Sequence, residues 1–124
     1  MYLCRSLTWN QKQRKMVGVI GADAVMHSRP QGRGYGRLTE TCHHPWPGSE
    51  TSGKLSAHEF HYSGLENISA DIKFAYEVKR GHGVDGQHDG IVYKNLLANY
   101  MHLRDVGDSH WIQRFVEHVK TCRN

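Results

Sequence analysis

Ile72, Phe74, Tyr76 and Val78 recur at every second position, the period of a half-buried β-strand. Leu55 to Tyr62 shows the same strand character, and Met16 to Ile20 is a short β-branched run that predicts another strand, continued by Ala22 to His27 after Gly21. Gly32, Gly34 and Gly36 around Tyr35 predict a strand whose backbone bends or is closely approached. Ile91 to Leu103 is long enough for two short strands or one bent one. Thr41 to Gly53 and Arg80 to Gly90 are rich in Pro and Gly and read as loops. Asn10 to Lys15 is polar and reads as a turn, and Met1 to Leu7 reads as the uncapped tail of a helix. Near the end the period changes. Trp111, Ile112, Phe115, Val116 and Val119 fall at helical spacing, opposite Arg114, Glu117, His118 and Lys120. This predicts a terminal helix capped by Asp108 or Ser109, packed on a sheet by its apolar face and ending near Cys122. Several strands and one helix imply a mixed sheet in an α/β or α+β domain.

Length and composition narrow this picture. At 124 residues, 38% hydrophobic and 23% charged, the chain suffices for one modest packed domain. No apolar run approaches the roughly 18 residues of a membrane helix, and no signal peptide is visible, so a cytoplasmic protein is expected. Three widely spaced cysteines, Cys4, Cys42 and Cys122, read as free thiols rather than a disulfide framework. The net charge of +4 is concentrated early: residues 1–37 hold seven bases and one acid. That asymmetry suits an anionic partner or an acidic neighbouring domain. Nucleic acid is not expected, because no binding motif or interleaved aromatic platform accompanies the bases.

Three candidate chemistries follow. Gly48 to Leu55 approaches a phosphate-binding loop, but Leu55 stands where Ser or Thr is needed, Pro45 and Pro47 precede it, and a strand pattern follows. Ten histidines invite a metal reading. However, His43 and His44 are adjacent, and on a strand His58 and His61 face opposite sides, so no standard ligand set emerges. The third candidate is His102, beyond the apolar run that ends at Tyr100. A histidine at the end of a strand in an α/β domain can carry protons near neutral pH.

Five ordered blocks then resemble one family, the glutamine amidotransferase domain that ends the cobyrinic acid a,c-diamide synthases and their relatives. Met1-Tyr2-Leu3 resembles the residues just after that family's Cys-Gly-Gly-Leu nucleophile turn. Met16 to Ile20, with Ala24-Val25-Met26, Arg29 and Gln31 to Tyr35, resembles its Val-Gly-Leu, Met, Arg, Gly-Tyr stretch. His58-Glu59-Phe60-His61-Tyr62-Ser63 is similar to its His-Glu-Phe-His-Tyr-Ser block. Arg80-Gly81 to Asp89-Gly90, then Asn95 to Ala98 and Tyr100 to Leu103, resemble its closing blocks.

The resemblance implies an α/β, flavodoxin-like class I amidotransferase domain with a mixed sheet and a terminal helix. Residues 1–124 would be its C-terminal portion, truncated or begun at an internal methionine, without the nucleophile turn. A cysteine thiolate attacks the side-chain amide of glutamine, and a histidine activates the thiol and protonates the departing ammonia. The ammonia passes to a separate synthetase domain that uses ATP and Mg to amidate a tetrapyrrole carboxylate; no cofactor is expected in this chain itself. His102 takes the position of the catalytic histidine, and His61, Tyr62 and Ser63 that of the strand end that holds glutamine. Cys4 is not expected to replace the nucleophile, since the reading puts it in the following helix without flanking glycines. Arg104 stands where many amidotransferases carry a carboxylate, with Asp105 next. His102-Leu103-Arg104 also differs from the His-Leu-His common in corrinoid enzymes, which keeps open a sirohaem-amidating relative, or an inactive amidotransferase-like binding domain. The isolated chain is expected to show no glutaminase activity. A sheet lacking its leading strands is expected to leave edges that favour self-association, possible as a homodimer.

Overall fold

The computed structural model describes residues 1–48, 53–106 and 109–123. It is an α/β structure of two sheets and one terminal helix. The strands are β1 (Cys4–Trp9), β2 (Lys12–Lys15), β3 (Ile20–Met26), β4 (Gly32–Glu40), β5 (Leu55–His61), β6 (Ser63–Glu66), β7 (Lys73–Arg80), β8 (His88–Tyr93), β9 (Leu96–Ala98) and β10 (His102–Leu103), followed by α1 (Trp111–Cys122). The first sheet has the order β2-β1-β3-β6 and is mixed, because β1 and β3 run parallel. The second has the order β10-β5-β4-β7-β8-β9 and is antiparallel at every pair. The chain passes from one sheet to the other at Tyr62, the single residue between β5 and β6.

The start of the chain differs from its sequence reading. Cys4 to Trp9 is a strand, not a helix, and Lys12 to Lys15 pairs with it as a hairpin rather than forming a loop. The two-residue turn between them places Asn10 and Gln11 at φ 48° and 61°. That left-handed pair matches the twist of the flanking strands. No helical period exists in Cys4 to Trp9; Cys4 and Ser6 are buried while Arg5 is exposed, which is strand alternation. All four residues of β2 are exposed, so Lys12, Arg14 and Lys15 line this edge with charge that opposes pairing with another strand. Met16 to Val19 is connection, and the strand begins at Ile20. His88 to Gly90, read as loop, opens β8. Ile91 to Leu103 divides into the rest of β8, then β9 and β10.

Two apolar clusters hold the sheets. Cys4, Ile20, Ala22, Ala24, Val84 and Ile91 form one; Leu38, Leu55, Ala57, Ala75, Tyr76 and Met101 form the other. Ala75 and Tyr76 are successive yet both buried, so β7 is covered on both faces.

The helix docks in an unexpected way. Arg114, read as part of the solvated face, is 7% exposed, whereas Ile112, Phe115, Val116 and Val119 are 48, 44, 44 and 40% exposed. The Arg114 guanidinium donates to both oxygens of Glu40 (2.5 and 3.0 Å), and its Nε–H donates to the carbonyl of Pro47 (2.8 Å). Apolar packing here is aromatic: Trp46 stacks on Trp111 and touches Phe115. Ser109 does not cap the helix; its hydroxyl donates to the carbonyl of Arg104, and His110 holds the cap position in a left-handed conformation. Asp108 lies outside the described residues.

Candidate active site

His102 stands on β10, the edge strand of the second sheet, and is exposed. Its partner across the ladder is His58, with Leu103 opposite Ala57. The two imidazoles lie 5.8 Å apart, centroid to centroid, and Tyr35 meets His58 edge-on at 6.3 Å. Tyr35 is the next residue along the same cross-strand row, opposite His58 on β4. The outer face of the sheet therefore presents His102, His58 and Tyr35 side by side, with Arg33 and Phe60 paired in the adjacent row.

The inner face is built differently. Alternation along β5 turns Glu59 inward, where it is 2% exposed. Its carboxylate accepts the backbone N–H groups of His82 (2.6 Å) and Gly83 (3.0 Å). It also faces His61 Nε2 at 3.0 Å, while His61 Nδ1 faces the carbonyl of Ser63 at 2.8 Å. Tyr100 stacks on this ring at 4.1 Å, and its hydroxyl meets Ser63 Oγ at 2.8 Å. Burial alone would push the Glu59 carboxyl up. The N–H groups of His82 and Gly83, with His61, outweigh it and hold the group below its ordinary value.

A second buried carboxylate lies nearby. Asp89 is 0% exposed, and its oxygens accept the N–H groups of Tyr100 (3.0 Å) and Met101 (2.8 Å). Here burial prevails over those bonds and raises the carboxyl above its ordinary value. Met101 fills the space left by two glycines: a Cβ on Gly36 would lie 2.7 Å from Met101 Cε, and one on Gly81 would collide with the same atom. Gly81 also has φ 116°, which side-chain-bearing residues rarely adopt.

The four residues singled out from the sequence thus divide. His102 faces outward. His61 and Ser63 point inward and are bound within the molecule, and Tyr62 is exposed at the junction of the sheets. The backbone carbonyls of His61 and Tyr62 accept from Gln31 and His27. The sequence placed His58, Glu59 and Asp89 within the resembling blocks but assigned them no role in this region. Strand alternation through Ala57-x-Glu59-x-His61 was the available signal for a buried carboxylate. Cys4 is buried in β1 with its thiol pushed up by that burial, Cys42 lies in the loop after β4, and Cys122 meets His118 at the end of α1. Cys4 is therefore a poor thiolate because of its strand environment, not because it sits in a helix.

Among the described residues the Gly48 to Leu55 candidate does not have the context of a phosphate loop. Lys54 leads directly into β5, not into a helix, and residues 49–52 lie outside the described residues. Among the described residues no helix is long and apolar enough to cross a membrane.

Residues 1–106 of this α/β chain match the CobB/CobQ-like glutamine amidotransferase domain. The chain belongs to that family. It is 40% identical over 111 residues to the cobyrinate a,c-diamide synthase of Magnetococcus marinus, covering 90% of this chain and 23% of that protein. It is 34% identical to the enzymes of that name from Archaeoglobus fulgidus (over 119 residues, 94% of this chain and 25% of that protein) and Methanocaldococcus jannaschii (over 118 residues, 94% and 25%). The chain spans about a quarter of the length of the curated relatives it matches.

Proposed function

We propose that this chain supplies the histidine half of a glutamine-hydrolysing site in an enzyme that resembles cobyrinate a,c-diamide synthase and acts in cobalamin biosynthesis. The observation that carries the reading is His102 itself: a solvent-facing imidazole on an edge strand, in a domain of the amidotransferase family. Its position agrees with the closing block of that family, and the rim gives glutamine access.

In the reaction, a thiolate from outside residues 1–124 attacks the side-chain amide carbon of glutamine. His102 takes the thiol proton and returns it to the departing nitrogen, so ammonia leaves and a thioester remains. Water, deprotonated by the same imidazole, then cleaves the thioester to glutamate and free thiol. Tyr62, at the sheet junction, is the exposed member of the three residues assigned to glutamine. ATP and Mg belong to a synthetase domain elsewhere in such an enzyme, where ammonia would amidate a tetrapyrrole carboxylate. The shared name of the three relatives favours cobyrinate over sirohaem as that tetrapyrrole.

The test is ammonia release from glutamine by a polypeptide that extends this chain upstream through an in-frame Cys-Gly-Gly. His102→Ala is expected to lower turnover about 10²–10⁴-fold, the range of a general acid–base, and the 124-residue chain alone to show none. Turnover that ignores His102→Ala defeats the assignment.

A further inference from the structure

We propose that Asp89 is a positioning residue for His102: its buried carboxylate grips the two peptide N–H groups immediately before the histidine and thereby sets where the imidazole stands on the rim. The inference rests on His102 as the proton carrier, and it adds a residue that touches neither glutamine nor thiol.

The need for such a grip comes from topology. β10 is two residues long, and its ladder to β5 consists of His102 opposite His58 and Leu103 opposite Ala57. Edge pairing this short frays readily. Among the described residues, Asp89 alone offers a side-chain acceptor to the backbone N–H groups between Asn99 and Arg104. Asp89 Oδ1 takes the N–H of Tyr100 and Oδ2 that of Met101. Two oxygens on two consecutive peptides fix both the height and the rotation of the backbone there. Asp89 is itself well anchored, since it lies on β8 opposite Tyr76, inside the sheet.

The bend that precedes β10 turns this grip into a direction. Met101 is drawn into the core, 1% exposed, in the space left by Gly36 and Gly81. The next residue, His102, opens β10, and its exposed side chain emerges beside His58. Glu59 uses the same device on the neighbouring loop, where it takes the consecutive N–H groups of His82 and Gly83. Holding a reactive group through supporting bonds is how sites keep a productive geometry.

Asp89→Asn tests the grip with little change of shape. The amide keeps one acceptor oxygen but turns N–H against the second peptide N–H. By NMR of the isotopically labelled 124-residue chain, the His58–His102 ring-to-ring NOE is expected to weaken at least about threefold in Asp89→Asn, as the imidazole loses its fixed place on the rim. Asp23→Asn, which removes a carboxylate from the other sheet, is expected to leave it unchanged. A folded Asp89→Asn with wild-type NOE overturns the proposal. A second measurement needs no variant: in the wild-type chain, couplings across the hydrogen bonds are expected from the Tyr100 and Met101 amides to the Asp89 carboxyl carbon. Their absence overturns the proposal even where Asp89→Asn fails to fold. The two levels separate cleanly. If glutamine turnover ignores His102→Ala, the amidotransferase reading falls while the NMR result on Asp89 stands. If His102→Ala abolishes turnover but the Asp89 signals do not respond, only the positioning role is lost.

Discussion

The rim around His102 and the base of the terminal helix both rest on buried carboxylates, but they use them differently. At the rim, Glu59 and Asp89 accept pairs of backbone N–H groups. They fix the path of the main chain, and so the direction of the next outward side chain. At the helix, Glu40 accepts a side chain, the forked guanidinium of Arg114. One bidentate pair docks a whole element while leaving its apolar stripe in solvent. A carboxylate that holds backbone specifies geometry; one that holds a side chain specifies attachment.

The largest expected effect separates the two regions. Glu40→Ala leaves Arg114 buried without its partner, a loss of about 3–5 kcal/mol for a broken buried pair. Helical circular dichroism and urea unfolding should show the helix released, with the His58–His102 NOE retained; loss of that NOE would join the two regions into one unit. Gly36→Ala is the reverse experiment. Its new Cβ meets Met101 Cε and the Arg80 carbonyl at 2.7 and 2.9 Å, and overpacking of this kind costs about 1–3 kcal/mol. His102 signals should move and the helix signal should not.

The pH dependence sharpens the contrast within the rim. The folded-state pKa of Glu59 is lowered, so its contribution is fully present above the ordinary value of 4.5 and is lost as pH falls through the folded value. Asp89 has the opposite sign: burial raises its pKa, so its ionised form opposes folding as pH rises from its ordinary value of 3.8. The urea midpoint of the wild type is expected to fall on acidification, and that of Glu59→Gln to fall less. Equal slopes would show that Glu59 does not carry the acid limb. The smallest effect is expected at the exposed Arg5–Asp23 pair, at 3.2 Å. Arg5→Ala should change stability by no more than about 1 kcal/mol, and thermal unfolding compared with Glu40→Ala measures the difference between a wet and a buried pair.

Much of this protein was legible before any coordinates. Alternation marked β5 and β7, the helical period marked α1, and the loop of Pro and Gly after β4 was evident. Those features are local: periodicity records which side of an element is wetted, and turn residues record backbone geometry. Three things were settled only by folding. Cys4 to Trp9 became a strand because β2 and β3 pair with it on either side, and pairing at a distance overrides a weak local preference. The helix turned its arginine inward because Glu40 and the Pro47 carbonyl, far away in sequence, wait at its base. Asp89 reached the peptides before His102 because β8 runs beside β9 and places their ends together. A sequence shows which residue types are present and with what period. Which carboxylate meets which N–H depends on strand order, since hydrogen bonds act over about 3 Å while their partners here lie 11 to 74 residues apart.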